Sequence, residues 1–200
     1  MTKKITETKV LLTNARLSYP HLFEPHGFDG QEPKYSASLI VSKEDEEGQK
    51  IINSAISAAF KAGVESGKLK ASDKTKMKIA LRDGDAEREE DPAYSGGYFI
   101  NANSKRAPQV VGRYKDPKTG KVVELDEEEV YPGCYVNATV NFYPYSVSGN
   151  KGIAAGLGNI QKAGDGERLD GAASAADDFD FDEAEEVSLG GSEDSDDWLS

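Results

Sequence analysis

The segment Tyr135-Val-Asn-Ala-Thr-Val-Asn-Phe-Tyr-Pro-Tyr145 alternates apolar and polar side chains along its whole length. Its apolar members recur at every second position: Val136, Ala138, Val140 and Phe142. This period of two predicts a long β-strand with one buried face. The opposite face is polar except for its tyrosines, Tyr135, Tyr143 and Tyr145. We interpret these three rings as candidate base-stacking groups, the alternative being that they cover one end of a barrel or pair across strands.

Shorter segments on both sides of this strand also alternate with a period of two. In residues 34–41, Tyr35, Ala37, Leu39 and Val41 share one face, and in residues 76–82 the side chains of Met77, Ile79 and Leu81 are expected inside. The predicted strands are residues 10–19, 34–41, 76–82, 98–103, 109–114, 135–145 and 152–161. Pro20 is expected to end the first strand, and residues 20–33, rich in Pro and Gly, are expected to form a loop.

One segment has a helical period instead. Ser42, followed three residues later by Asp45, resembles a capping box and predicts a helix that begins at Ser42. Its apolar side chains fall on one face: Ile51, Ile52, Ala55, Ile56, Ala59 and Phe60. Gly63 and Gly67 are expected to end it. Seven strands with one packed helix predict a small all-β or β-rich barrel.

Charge is distributed unevenly along the 200 residues. The formal net charge is −12, from 36 acidic and 24 basic residues. Twelve of the acidic residues and none of the basic ones lie within residues 170–200, so the remainder of the chain is formally neutral. After Gly164 periodicity is lost and Gly, Ala, Ser and Asp dominate, which is typical of disorder. We therefore predict a folded domain over residues 1–163 and a disordered acidic tail over residues 164–200.

A basic segment with interleaved aromatic residues lies between residues 98 and 121. Its cations are Lys105, Arg106, Arg113, Lys115, Lys118 and Lys121, and its rings are Tyr98, Phe99 and Tyr114. Cations that follow phosphates beside rings that receive bases suit a single-stranded nucleic acid. Lys76, Lys78 and Arg82 share the outer face of their predicted strand and would extend this path. The alternative is a solvated hairpin with ordinary surface lysines.

The tail combines dense carboxylates with isolated apolar residues, including Phe179 and Phe181. Its candidate partner-binding residues stand near the terminus: Asp196, Asp197, Trp198 and Leu199. Carboxylates imitate phosphates and rings imitate bases, so such a tail can compete with DNA for a groove or dock into a basic, hydrophobic pocket of a partner. A plain disordered tail is the alternative.

These segments resemble a family of phage single-stranded-DNA-binding proteins of this length that have a variant OB fold. The resemblance rests on Asn14-Ala-Arg-Leu-Ser-Tyr-Pro-His-Leu-Phe23, Lys34-Tyr-Ser-Ala-Ser-Leu-Ile40 and Val130-Tyr-Pro-Gly133. The closing segments match best: Asn141-Phe-Tyr-Pro-Tyr145, Gly149-Asn-Lys-Gly-Ile153 and Gly156-Leu-Gly-Asn-Ile-Gln-Lys162. The acidic tail with a terminal apolar group is similar to the tails of bacterial and phage proteins of this class.

The resemblance implies an OB-like barrel that binds and protects single-stranded DNA, independently of sequence, in phage replication or recombination. It also implies that the tail regulates binding and recruits replication or recombination proteins. A standard OB fold has its helix between the third and fourth strands, whereas the helix predicted here follows the second. Either the first strand is really two strands or the topology is a variant. The tail ends in Trp-Leu-Ser rather than in an aromatic residue, so its docking contact is expected to differ.

An enzyme is the competing class. The acidic residues within 83–91 would suit Mg²⁺ in a nuclease, because hard cations prefer oxygen ligands. However, Arg88 interrupts the cluster and Arg82 precedes it, which favours a solvated, charged loop. A DNA-mimic or pure interaction protein is a third hypothesis, but it leaves the tyrosines and the basic segment unexplained.

The remaining residues predict neither a cofactor nor a bound metal. Cys134, His21 and His26 are too few for a closed zinc site and have no activating surroundings in the sequence. No apolar run approaches the roughly 20 residues that span a bilayer, and nothing resembles a secretory signal. We expect a cytoplasmic protein, in the host bacterium if the chain is phage-encoded. The sequence leaves open whether the protein is a homodimer and whether it prefers DNA or RNA.

Overall fold

The computed structural model describes residues 2–27, 30 and 32–171, and its sheet closes into a barrel. The strands are β1 (Lys3–Lys4), β2 (Lys9–His26), β3 (Lys34–Ser42), β4 (Leu81–Asp83), β5 (Gly97–Ser104), β6 (Val110–Lys115), β7 (Val122–Glu124), β8 (Tyr135–Val147) and β9 (Asn150–Gly164). The helices are α1 (Glu46–Glu65) and the single turn α2 (Gly84–Glu87). Short 3-10 turns cover Ala71–Thr75 and Pro92–Tyr94.

Five of these strands form the barrel, in the spatial order β5-β3-β2-β8-β9. All neighbours are antiparallel until β9 meets β5 in parallel and closes the ring, with Ala102 opposite Ala155. Helix α1 follows the second barrel strand, as the sequence predicts. The topology is therefore a variant of the standard OB arrangement, and the hairpin β6–β7 lies between the third and fourth barrel strands.

Strand β2 is much longer than predicted, because Pro20 does not end it. The strand continues to His26 and breaks register between Ser18 and His21. A bulge leaves residues without ladder partners, so a proline that lacks an N–H is tolerated there. The first half of β2 pairs with β8 and the second half with β3. One bent strand therefore serves both sides of the barrel, and the expected loop over residues 20–33 is shorter.

The alternation in β8 is confirmed. Its inward side chains Val136, Ala138, Val140 and Phe142 are at most 1% exposed. They pack against large side chains from the other barrel strands, among them Leu12, Leu17, Leu39, Ile100, Ile153 and Ile160. Ile52, Ile56 and Ala59 of α1 close the same core. The predicted face of the helix thus packs on the sheet.

The ends of α1 differ from the prediction. The cap is Asp45, whose carboxylate accepts the Gly48 N–H at 3.0 Å, and the helix begins at Glu46. Ser42 is still the last residue of β3, and its hydroxyl accepts the Glu44 N–H at 3.1 Å in a turn that precedes the helix. Gly63 lies inside the helix, where a side chain would collide with Leu69 and Pro144. Gly67, with a φ of +72°, follows the C-terminus as expected.

The strand predicted over residues 76–82 is wrong except at its end. Asp73 holds a turn there, because its carboxylate accepts the Lys70 N–H at 2.8 Å and its carbonyl accepts the Met77 N–H. The chain becomes a strand only at Leu81. Ile79 is 45% exposed rather than inside.

Residues 83–96, called here the cover segment, lie on the outer face of β3 and β5. The Tyr94 ring is buried there and meets Phe99 edge to face at 5.1 Å, with Ile40 beside them. Lys43 holds the segment by ion pairs with Asp83 (2.5 Å) and Asp85 (2.7 Å). Part of the barrel's outer surface is therefore covered by a second small core. The sequence predicted only a solvated, charged loop in this segment.

Ordered packing continues past the predicted boundary at residue 163. The Leu169 N–H donates to the Pro132 carbonyl at 3.0 Å, and the Arg168 guanidinium lies 4.5 Å from the Tyr131 ring centre. Residues 165–170, called here the strap, thus pack on the body. The tail residues Asp196, Asp197, Trp198 and Leu199 lie outside the described residues. Within the described part of the chain, no helix is long and apolar enough to span a membrane.

Candidate nucleic-acid interface

A groove crosses the outer surface of the barrel from the β8–β9 end to β2. It consists of two adjoining cavities of about 590 and 440 Å³ that share Asn101 as a lining residue. The first is lined by residues that include Lys78, Arg82, Tyr145 and Ala154. The second is lined by residues that include Tyr19, His21, His26, Ser36, Arg88 and Asn103. We call this feature the cross-barrel groove.

The floor of the groove is polar because of the register between β3 and β5. Ser36 lies opposite Asn103, and Ser38 lies opposite Asn101. Since side chains alternate across a strand, these residues face outward while Ala37, Leu39 and Val41 enter the core. The amides of Asn101 and Asn103 provide donors and acceptors along the floor.

The β8–β9 end of the groove combines a ring with cations. Tyr145 lines it together with Lys78 and Arg82. Lys78 forms an isolated parallel β-bridge with Gly152 of β9. A Cβ atom added at Gly152 would lie only 2.2 Å from the Lys78 carbonyl oxygen. The bare backbone of Gly152 therefore allows the Lys78 segment to close against the barrel. Arg82 pairs with Glu87 and covers the Phe99 ring.

The β2 end of the groove combines Tyr19 and Arg88 with two stacked imidazoles. The His21 and His26 ring centres are 4.6 Å apart and the rings are nearly parallel, at 13°. Partial burial, and secondarily the charge of His26, lowers the pKa of His21 below its ordinary value. His21 is therefore biased towards the neutral form in the folded protein.

Three of the residues predicted for DNA contact, Tyr145, Lys78 and Arg82, line the groove, and a fourth cannot contact DNA. Phe99 is 0% exposed in the small core under the cover segment, so its prediction is corrected. Its strand alternates as expected, but the cover segment buries the outer face at this position. Tyr98 is half-buried, with the Lys43 ammonium 5.0 Å from its ring centre.

The other predicted tyrosines lie elsewhere on the surface. Tyr143 is 38% exposed and lies over the Gly156 backbone. Tyr135 is half-buried, with its ring against Gly166 of the strap. Tyr114 is 79% exposed on the β6–β7 hairpin. None of the three is among the residues that line the two cavities.

The predicted cations are exposed but spread over several elements. Lys105 pairs with Glu32 at 2.7 Å, and Arg113 donates to the Ala163 carbonyl at 3.3 Å. Arg106, Lys115 and Lys76 are exposed. The structure thus places Lys105 and Arg106 just past the end of β5, and Arg113 and Lys115 on the hairpin.

Sequence reasoning missed several groove residues: Tyr19, His21, Arg88, Asn101 and Asn103. The alternation of β5 contains the signal for Asn101 and Asn103, since both follow Phe99 at the outward spacing. Tyr19 gave no such signal, because regular alternation from Leu17 places it inside.

Three carboxylates of the acidic cluster pair with cations of the chain itself: Asp83 and Asp85 with Lys43, and Glu87 with Arg82. The hydrogen bond from Lys43 lowers the pKa of Asp85, which also accepts the Gly96 N–H at 2.9 Å. Within the described residues, no group of three or more His, Cys, Asp and Glu is arranged to hold a metal ion. Cys134 is fully buried, and burial raises the pKa of its thiol.

A five-stranded barrel of this topology, with an open polar groove over its second and third strands, defines a protein of the OB class, whose members bind oligonucleotides and oligosaccharides on that face. A family model described as the ssDNA-binding protein of Enterobacter phage Enc34 matches residues 8–189. The chain belongs to this family. The family resemblance and the OB-like fold predicted from the sequence are confirmed.

Individual relatives agree with this assignment. Putative protein p50 of Acyrthosiphon pisum secondary endosymbiont phage 1 is 33% identical in a 196-residue alignment that covers 90% of this chain and 98% of that protein. The structure of the single-stranded DNA-binding protein from bacteriophage Enc34 in complex with ssDNA is similar with a TM-score of 0.69 and 29% identity, over 84% of this chain and 96% of that one. The single-stranded DNA-binding protein gp2.5 of bacteriophage T7 shares the fold, with a TM-score of 0.54 and 12% identity over 98% of both chains.

Proposed function

We propose that this protein binds single-stranded DNA in the cross-barrel groove, independently of base sequence, and protects it during phage DNA replication or recombination. The observation that carries the proposal is the groove itself, with Tyr145 at one end and Tyr19 at the other. Rings stack on any base, and the cations Lys78, Arg82 and Arg88 beside them favour phosphates. The Enc34 protein in complex with ssDNA supports the same ligand for this chain.

We further propose that residues 172–200 form a regulatory tail that competes with DNA for the groove and recruits replication proteins. Asp170, the last charged residue of the strap, lines a cavity with Tyr19 and another with His21. The acidic tail therefore departs beside the β2 end of the groove. Carboxylates placed there would oppose phosphates unless DNA displaces them.

The quenching of tyrosine fluorescence by oligo-dT, compared with duplex DNA of equal length, tests the proposed function. Single-strand binding predicts quenching by oligo-dT at lower concentrations than by the duplex. A nuclease and a DNA mimic both predict no preference for the single strand, so equal titration curves would contradict the proposal. An oligo-U titration in parallel determines whether DNA or RNA is preferred.

A further inference from the structure

Tyr19 is exposed at a position where its strand should bury it. Leu17 is 0% exposed, so alternation along β2 would direct Tyr19 into the core. Instead the register breaks between Ser18 and His21, the φ of Tyr19 is +43°, and its side chain is 59% exposed. The bulge therefore turns this ring out of the barrel.

This conformation is unfavourable for the residue that adopts it. A bulky aromatic residue in the left-handed region is strained, and such strain is concentrated at functional sites. The other left-handed residue of β2 is Asn14, a residue type that tolerates this region. Burial does not compensate for the strain at Tyr19, because most of the ring remains in solvent. What the strained backbone achieves is the position of the ring in the groove.

The neighbour of that ring is a second planar group. The guanidinium carbon of Arg88 lies 6.0 Å from the Tyr19 ring centre. It also lies 5.6 Å from the Tyr94 ring and 5.9 Å from the Phe99 ring, so the second small core supports the arginine. Lys43 holds the segment that carries Arg88 by its pairs with Asp83 and Asp85. Arg88 is thus presented to Tyr19 from a fixed element.

We propose that Tyr19 and Arg88 form a two-sided stacking site for one nucleobase, with the ring on one face of the base and the guanidinium on the other. The exposed Tyr19 side chain moves to admit the base, because the 6.0 Å between the two groups must widen to about 7 Å, twice the stacking distance of about 3.4 Å. Both groups stack on bases of any sequence. The inference rests on the proposed passage of single-stranded DNA through the groove. It adds a specific site at the β2 end, where the sequence predicted no contact.

The test uses Tyr19→Asn, Tyr19→Phe and Arg88→Ala in the full chain, with Asn14→Gly as the matched control. Asn accepts the left-handed backbone, so Tyr19→Asn should fold, which urea unfolding checks. We expect oligo-dT affinity to fall about tenfold in Tyr19→Asn and in Arg88→Ala. Tyr19→Phe and Asn14→Gly should bind as the wild type does. Combining Tyr19→Asn with Arg88→Ala should weaken binding by less than the product of the two effects.

An abasic oligonucleotide of the same length separates stacking from a structural role. It retains the phosphates and lacks the bases, so wild type and Tyr19→Asn should bind it equally. A persistent difference on the abasic strand would overturn the stacking site, as would an equal loss in Tyr19→Phe and Tyr19→Asn. If wild type prefers oligo-dT over duplex but neither Tyr19→Asn nor Arg88→Ala weakens binding, this inference fails and the proposed function stands. If wild type shows no preference, both fail.

Discussion

At the scale of single residues, Tyr145 and Phe142 lie on opposite faces of β8. Truncation of Tyr145 should affect DNA binding, whereas truncation of Phe142 should affect the stability of the fold. Tyr145 lines the groove, so Tyr145→Ala should weaken oligo-dT binding by about 1–3 kcal/mol while the protein remains folded. Phe142 is 1% exposed, so Phe142→Ala should lower the free energy of unfolding by about 3–5 kcal/mol. Fluorescence titration and urea unfolding measure the two effects.

Tyr143→Ala is the matched comparison on the same strand. Tyr143 has a similar outward position but does not line the groove, so its truncation should weaken binding less than that of Tyr145. If Tyr145→Ala unfolds the protein while Phe142→Ala leaves it stable, the assignment of the two faces is inverted.

His21 predicts a pH dependence of stability. Burial, and then the charge of His26, lowers the pKa of His21 in the folded protein, so the unfolded chain binds the proton more readily. The contribution of His21 is therefore fully present above the unfolded pKa of about 6.5 and is lost as the pH falls through the lower folded pKa. Urea unfolding at pH 7.5 and at pH 5.5 should show a larger loss in wild type than in His21→Gln. Equal losses would mean that His21 does not contribute.

At the scale of elements, the cations of the basic segment should contribute to the salt dependence of oligo-dT binding. If Lys105, Arg106 and Arg113 contact phosphates, each substitution by Ala should reduce the slope of log K against log salt by about 0.7. Lys105 and Arg113 would first have to leave Glu32 and the Ala163 carbonyl. Lys78→Ala, within the groove, is the positive comparison. If none of the three substitutions changes the slope, these cations do not contact phosphates and are ordinary surface residues.

Regular alternation made most strands predictable, and its interruptions made the others unpredictable. The strands β3, β5 and β8 were expected because their inward side chains follow the pleat without a break, and β9 was expected from its alternation up to Leu157, although its register against β8 shifts between Leu157 and Ile160. By contrast, β2 contains Pro20 within a bulge, and a bulge depends on pairing with distant strands rather than on local sequence. The cover segment was missed for a related reason: its charged residues are exposed, and the single ring of Tyr94 decides where it packs.

At the scale of the whole molecule, the separation of charge predicts the effect of the tail. Truncation after Asp170 retains the strap contacts of Arg168 and Leu169 and removes 11 of the 36 acidic residues. A tethered tail competes at an effective concentration on the order of millimolar. The truncated protein should therefore bind oligo-dT more tightly than the full chain, most clearly at low salt, where screening is weak. Oligo-dT titrations at two salt concentrations measure the difference, and equal affinities at low salt would contradict self-competition.

The groove could not be predicted from the sequence, because its residues come from distant parts of the chain. Tyr19, Arg88, Asn101 and Tyr145 belong to four different elements and become neighbours only through strand register. The sequence predicted the fold class, which is confirmed, and a set of DNA-contact residues, which remain predictions. It did not contain the information on which exposed rings share one surface.

The parallel seam between β5 and β9 has a consequence for the motions of the barrel. Its register covers Ala102 with Ala155 and Asn103 with Gly156, whereas β8 and β9 pair along nearly their whole lengths. Such a short ladder should open more often than its neighbours, and its amides should exchange with deuterium early. Asn101 and Ala154, which line the groove, lie beside this seam. Single-stranded DNA bound from Tyr145 to Tyr19 would cross the seam and hold its two strands together. Oligo-dT should therefore slow amide hydrogen exchange at residues 102–104 and 154–156 more than in β8.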